Sequence, residues 1–203
     1  MSQSFAAGNE DVARLIAACP LAWIVAAGAP GAATPMPLLL ECGEDGAPHS
    51  LLGHLPRAHP LVTAFLAQPR GVFLFQGPHG YITPEYLSDK DWAPTWNFAV
   101  VVIEAEVAID ATLTDEALRR LVAHMERDSA EPWSVEAMGA RYATLRDRVI
   151  GFRATITSCR PRFKLGQDES DKAFAEIVAG LGDRPLARWM RAARQGMAKR
   201  SRE

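Results

Sequence analysis

The stretch "LAWIVAAGAPGAATPMPLLLECGEDGAPHSLLGHL", residues 21–55, decides the fold. Two short apolar runs, "LAWIVAAG" and "ATPMPLLLECG", flank "GAPGA", and "EDGAP" supplies an Asp-Gly turn before a third run that ends at Leu55. Runs this short, punctuated by Gly, Pro and Asp, read as strands joined by tight turns, because those residues supply the backbone angles a hairpin needs. Three antiparallel strands in meander order are the expected result.

Upstream, Asn9 is placed to cap a short helix, with Glu10 and Asp11 in its first turn. Val12, Leu15, Ile16 and Cys19 fall at helical spacing before Pro20 stops it. Downstream, "GHLPRAHP" (Gly53–Pro60) leads from the third strand into a helix from Pro60 to about Ala67, proline being well suited to a first helical turn. A basic loop at a helix start is a candidate anion site, since backbone N–H groups and the helix dipole favour a phosphate and Arg57 offers a bidentate fork.

Further along, "GVFLFQG" reads as a short buried strand, "GYITPEY" as a polar-aromatic segment and "LSDKDWAPTW" as an exposed loop. "NFAVVVIEAEVAI" reads as a long strand, with Glu104 and Glu106 on one face and Ile103, Ala105 and Val107 on the other. A helix from about Thr114 carries the stripe Leu118, Leu121, Val122, Met125, and another is expected around Met138, Tyr142, Leu145 and Val149. "GFRATITSC" alternates as a half-exposed strand and delivers a second basic loop, "RPRFKLGQDES". A helix marked by Phe174, Ile177, Val178 and Leu181 follows. About six strands with helices inserted between them give the α+β class, an antiparallel barrel with peripheral helices. Residues 1–183 form one domain in this reading, followed by a basic segment, residues 184–203.

With 203 residues, 48% of them hydrophobic, the chain can bury a proper core, and a net charge of −2 argues against a generally basic nucleic-acid-binding surface. The balance hides an asymmetry. Arg184, Arg188, Arg191, Arg194, Lys199, Arg200 and Arg202 stand against Glu203 alone, which reads either as a solvated helix with a frayed tail or as a contact to DNA or another partner. Cys19, Cys42 and Cys159 are far apart and form no C-x-x-C, as in a reduced, cytoplasmic protein. No apolar run approaches the roughly 20 residues that span a bilayer, so no membrane partner is expected.

The motif search rejects more than it finds. His49, His54 and His59 are spaced by five, an odd separation that sends His49 and His54 to opposite faces of a strand, so no metal site is expected. There is no nucleophile elbow, no dinucleotide fingerprint and no P-loop. What remains is a set of clusters, "GHLPRAHP", "FQGPHGYITP", "APTWNF" and "KLGQD", each placing hydrogen-bonding groups beside aromatic or apolar ones. That mixture suits a flat, polar-edged ligand with a phosphate tail.

In this order the clusters, with "PWSV" and "VIGF" between them, resemble the PaiB-type family of FMN-binding negative transcriptional regulators, from about Leu15 to Leu181. The resemblance implies a split β-barrel shared with pyridoxamine-phosphate-oxidase-like flavoproteins, a homodimer, and FMN as cofactor. It implies that Arg57 and the start of the following helix lie near the phosphate, with His54 orienting it and His59 in the same wall. It also puts Gln76, His79 and Tyr81 on the next strand and turn, Trp96 and Asn97 near the ring or the partner subunit, and Lys164 and Gln167 in a closing loop. The chain departs from the family pattern at His59, where Asn is usual, at Gly166 and Asp168 in "KLGQD" where the family has "KLSQN", and at Val102, where a histidine is frequent. A flavin-binding regulator is the leading expectation. A small flavin-dependent oxidoreductase, or a barrel that has exchanged FMN for another anion or partner, are the alternatives.

Overall fold

The structure is a computed structural model that describes residues 7–200, with side chains through residue 196. Of the basic C-terminal segment, Arg202 and Glu203 and the side chains of Lys199 and Arg200 lie outside the described residues. Six helices and seven strands follow in the order α1 (Asn9–Ala18), β1 (Leu21–Ala26), β2 (Ala29–Pro37), β3 (Leu39–Cys42), β4 (Pro48–Pro56), α2 (Pro60–Ala67), β5 (Arg70–Ile82), β6 (Thr95–Ile109), α3 (Thr114–Glu126), α4 (Arg141–Arg146), β7 (Val149–Lys164), α5 (Asp171–Leu181) and α6 (Pro185–Arg200). The strands form one antiparallel sheet in the order β2-β1-β5-β6-β7-β4-β3, and the fold is α+β. The described residues divide into two compact units, one of Asn9–Phe75 with Val101–Arg160, the other of Gln76–Val100 with the described parts of Met1–Gly8 and Pro161–Glu203.

In the larger unit the meander expectation is corrected. The hairpin turn falls at Ala27-Gly28, between the paired Ala26 and Ala29, and "GAPGA" runs into β2. The run "ATPMPLLLECG" breaks at Leu38 into β2 and β3, which lie at opposite edges of the sheet. One residue bridges at most about 7 Å, so within this unit the sheet curls until its two edges approach, while its ladder stays open there. Leu38 is fully buried at this crossing and its N–H donates to the Pro20 carbonyl at 2.9 Å. This is the split-barrel arrangement.

The barrel core follows from period-2 alternation. Ala22, Ile24 and Ala26 point inward from β1 while Leu21 and Trp23 point out, and Phe73 and Phe152 stack with centroids 6.4 Å apart. A Cβ at Gly53 would lie 2.4 Å from the Leu38 side chain and 2.9 Å from the Phe152 ring, so the strand needs glycine there for its backbone to approach this cluster. α3 turns Thr114 and Ala117 inward, and Leu121 packs against the Leu39–Leu52–Ala117 cluster. The expected stripe is therefore only partly covered, and Met125 stands 58% exposed. The helix expected around Met138–Val149 is shorter: a 3-10 turn at Val135–Met138, then α4, with Val149 already in β7.

The second basic loop is likewise corrected. β7 continues to Lys164, because exposed Arg160 and Arg162 alternate with half-buried Cys159 and Pro161 and buried Phe163, so the strand period persists through the charges. β5 also extends through "GPHG" to Ile82, its inward set passing from odd positions before Pro78 to even positions after it. In the smaller unit α5 buries Ile177, Val178 and Leu181, and α6 buries Leu186, Ala187 and Met190. No helix among the described residues is long and apolar enough to cross a membrane.

Candidate functional site

The expected site residues fall in both units. In the larger unit, Arg57 follows β4 and its backbone N–H donates to the Arg148 carbonyl at 3.0 Å. Its Nε donates to the Asp147 carbonyl at 2.9 Å, and among the described residues its two terminal nitrogens have no partner. It lines a polar depression of about 290 Å³ with Thr112, Thr114, Asp115, Arg146 and Asp147, at the first turn of α3. The 3-10 turn Ala111–Leu113 that leads into α3 is capped by Asp110, whose Oδ1 accepts from the Thr112 N–H at 2.8 Å and its hydroxyl at 2.6 Å. Arg57 is thus directed to the start of α3, whereas the sequence suggested the start of α2. Ninety positions separate Arg57 from Asp147 in the chain. No local pattern announces such a pairing.

The start of α2 is occupied by His59. Its Nδ1 accepts from the Leu61 N–H at 3.2 Å, so it caps the helix. This explains the departure from asparagine: imidazole Nδ1 stands where an amide oxygen would, and both are short-range acceptors for an orphan N–H. We expect His59→Ala to lower stability by about 1 kcal/mol and His59→Asn to preserve it. Denaturant unfolding of both variants checks this, and equal losses would exclude the cap.

His54 lies half-buried on β4, opposite Gly151 of β7. Its Nδ1 is buried with no hydrogen-bond partner among the described residues, and burial pushes its pKa below the ordinary histidine value. A buried nitrogen without a partner is an incomplete polar site.

In the smaller unit four of the expected residues come together. His79 and Tyr81 on β5 face Trp96 on β6, with centroids 6.3 and 6.0 Å from the indole. Gln76 Nε2 lies 3.0 Å from His79 Nδ1, which also approaches the Gly77 carbonyl at 3.3 Å. Trp96 and Tyr81 remain 54% and 47% exposed, so this is an open aromatic ledge and not core. Beside Trp96 on the same strand, Phe98 lies under the Arg162 guanidinium at 5.3 Å, a cation–π contact that sequence reading missed for want of any local signal.

The remaining three serve their own surroundings. Asn97 is on a strand, buried, and directs Nδ2 to the Met190 sulfur at 3.7 Å. Lys164 Nζ donates to the Thr95 hydroxyl. Gln167 folds back on its own turn, accepting from the Leu165 N–H at 2.6 Å and donating to the Phe163 carbonyl. Gly166 explains the altered "KLGQD": its φ of +76° is strained for serine, and a Cβ there would lie 3.1 Å from Met190.

Comparison with known proteins agrees with this reading of the fold. Residues 1–158 match the family model described as "Putative FMN-binding domain". The curated relative "Protease synthase and sporulation protein PAI 2" of Bacillus subtilis (strain 168) is 24% identical over 154 residues, which is 73% of this chain and 72% of the relative. Among solved structures, the FAD and heme binding protein of Mycobacterium smegmatis superposes with a TM-score of 0.58 at 16% identity, over 88% of this chain and 80% of that one. The flavocytochrome Anf3 of Azotobacter vinelandii superposes with a TM-score of 0.56 at 19% identity, over 77% and 67%. Split-barrel topology, the ordered clusters and a family match over residues 1–158 lead to one assignment: the chain belongs to the PaiB-type FMN-binding family.

Proposed function

We propose that this protein binds FMN and acts as a flavin-dependent regulator of the PaiB type. The observation that carries the reading is the open ledge of His79, Tyr81 and Trp96, whose rings and Gln76 amide suit a flat, polar-edged ring system. Within the larger unit, taken by itself, Arg57 has two terminal nitrogens with no partner among the described residues and these suit a phosphate. When bound, FMN would supply electron transfer, while the chain binds and orients it. The regulatory half rests on the resemblance of the ordered clusters to a family of regulators and on the B. subtilis relative, whose name includes sporulation. Homodimerisation is supported by the outer face of β1 and β5 in the larger unit, where exposed Trp23 pairs with exposed Leu74 and Leu21 stands 57% exposed.

Titration with FMN and with riboflavin, followed by flavin fluorescence, tests the proposal. Saturable FMN binding at about micromolar Kd is expected. Arg57→Ala should weaken FMN by about tenfold, near 1.5 kcal/mol, and leave riboflavin unchanged, because only FMN carries the phosphate. Equal effects on both ligands would remove Arg57 from the phosphate, and no binding of either would overturn the flavin reading.

A further inference from the structure

The helix α6 carries charge of one sign. Its sequence "PLARWMRAARQGMAKR" contains no Asp or Glu, so it lacks the opposite-charge pairs that usually lace an exposed helix. One face is built into the smaller unit through Leu186, Ala187 and Met190, and Trp189 packs edge-on to Phe163 with centroids 6.0 Å apart. Arg194 belongs to that anchor: it donates to the Glu169 carbonyl at 3.1 Å, pairs with Asp171 and lies 4.7 Å over the Phe174 ring.

The opposite face is different. Arg184, Arg188, Arg191 and Gln195 recur at i, i+4, i+7 and i+11 and are all exposed. Arg188 donates to the Asp183 carbonyl at 3.0 Å, while Arg184 and Arg191 have no ion pair among the described residues. Arg188 and Arg191 stand on a helix whose position is fixed by its buried side and Arg184 immediately precedes its first residue, so the three guanidiniums span about 10 Å at roughly 1.5 Å rise per residue. Residues 184–203 hold seven of the chain's 22 Lys+Arg and one of its 24 Asp+Glu, leaving 15 against 23 for the rest. The segment is cationic in sequence on an otherwise acidic chain.

We propose that this stripe binds the phosphate backbone of nucleic acid. A lipid surface fits poorly, because the apolar face that would enter a bilayer is already buried. An acidic protein fits less well than phosphate, because the stripe offers forked guanidiniums and an amide but no aromatic or apolar anchor of the kind protein interfaces are built around. Nothing on the stripe is arranged to read bases, so binding is independent of sequence and strongly salt-dependent.

Fluorescence anisotropy with a labelled DNA duplex, an RNA hairpin of similar length and a polyglutamate peptide, using the full chain, tests this. Three phosphate contacts predict a slope of about −2.7 in log K against log salt between about 50 and 200 mM. The triple variant Arg184→Ala/Arg188→Ala/Arg191→Ala should bind at least about tenfold more weakly at the lower salt, with that slope abolished. Its thermal midpoint and FMN titration should match the parent, which separates this test from the flavin reading. Binding to DNA alone or RNA alone identifies the source of the phosphates. No binding to either at low salt, an unaltered slope in the triple variant, or equal binding to polyglutamate would overturn the proposal.

Discussion

Gly151→Ala is expected to destabilise the protein by about 3 kcal/mol or more, lowering Tm by roughly 6–12 °C for a chain of this size. The reason is where the new methyl would go. A Cβ at Gly151 would lie 2.6 Å from both the Leu113 carbonyl carbon and the Thr114 nitrogen, so the obstacle is backbone and not a side chain that can turn aside. That backbone is also tied to the strand: Gly151 N–H donates to the Thr114 hydroxyl at 2.9 Å, and its carbonyl accepts from Asp110 N–H at 2.9 Å. The Thr114 hydroxyl in turn donates to the Ala111 carbonyl at 2.8 Å. Overpacking that side chains can absorb costs about 1–3 kcal/mol, and here the first turn of α3 must move instead. Because that turn lines the depression at Arg57, FMN affinity should fall with stability. Gly31→Ala is the control, since nothing lies within 4 Å of its Cβ position. A loss under about 1 kcal/mol in urea unfolding would show that α3 is not held as closely as this geometry requires.

Gly151 also marks the boundary of what the sequence discloses. Its strand was legible from the alternation of Phe152, Ala154 and Ile156, but the approach of α3 joins residues 37 positions apart, and no local pattern reports that. The same division runs through the molecule. α2 was legible to the residue, because Pro60 opens it and its apolar content is continuous. The β2–β3 break was not, because Leu38 looks like any other residue of an apolar run, and only the closure of the sheet sends its flanks to opposite edges. β7 was read as ending too early because arginines at Arg160 and Arg162 mimic a loop, although their alternation with Phe163 keeps the strand period. In the candidate site, Gln76, His79 and Tyr81 share one strand, as neighbours in sequence can, and Trp96 stands beside them on β6. His59 is a cap and Gly166 a positive-φ turn, so two departures from the family pattern have local structural causes.

Acid sensitivity should centre on one carboxylate. Glu41 on β3 accepts from the Ser50 hydroxyl at 2.7 Å, from Arg153 Nε at 2.8 Å and from Arg120 Nη1 at 2.6 Å, binding β3 to β4, β7 and α3. Burial by itself would raise its pKa, but the hydrogen bonds from Ser50, Arg120 and Arg153 outweigh burial and hold it at about 2, against an ordinary 4.5. The folded value is the lower one, so the unfolded chain takes up the proton first. The stabilisation is therefore complete above pH 4.5 and is lost as pH falls toward 2. The shift alone would correspond to roughly 3 kcal/mol at about 1.36 kcal/mol per unit. Both guanidiniums are more than a third exposed, at 36% and 43%, and screening reduces the expected contribution to about 2 kcal/mol. Glu41→Gln keeps the shape and removes the charge, so it should lower stability by about 2 kcal/mol at neutral pH, and the gap from the parent should close as pH falls through this window. Asp110, Asp115, Glu136 and Glu176 are also held below their ordinary values, but they remain in both proteins and cancel in the difference. Urea unfolding of the pair at several pH values separates the outcomes. A gap that stays constant down to pH 2 would mean that Glu41 acts through packing, and the charge network across β3, β4, β7 and α3 would lose its role in holding the barrel's open edge.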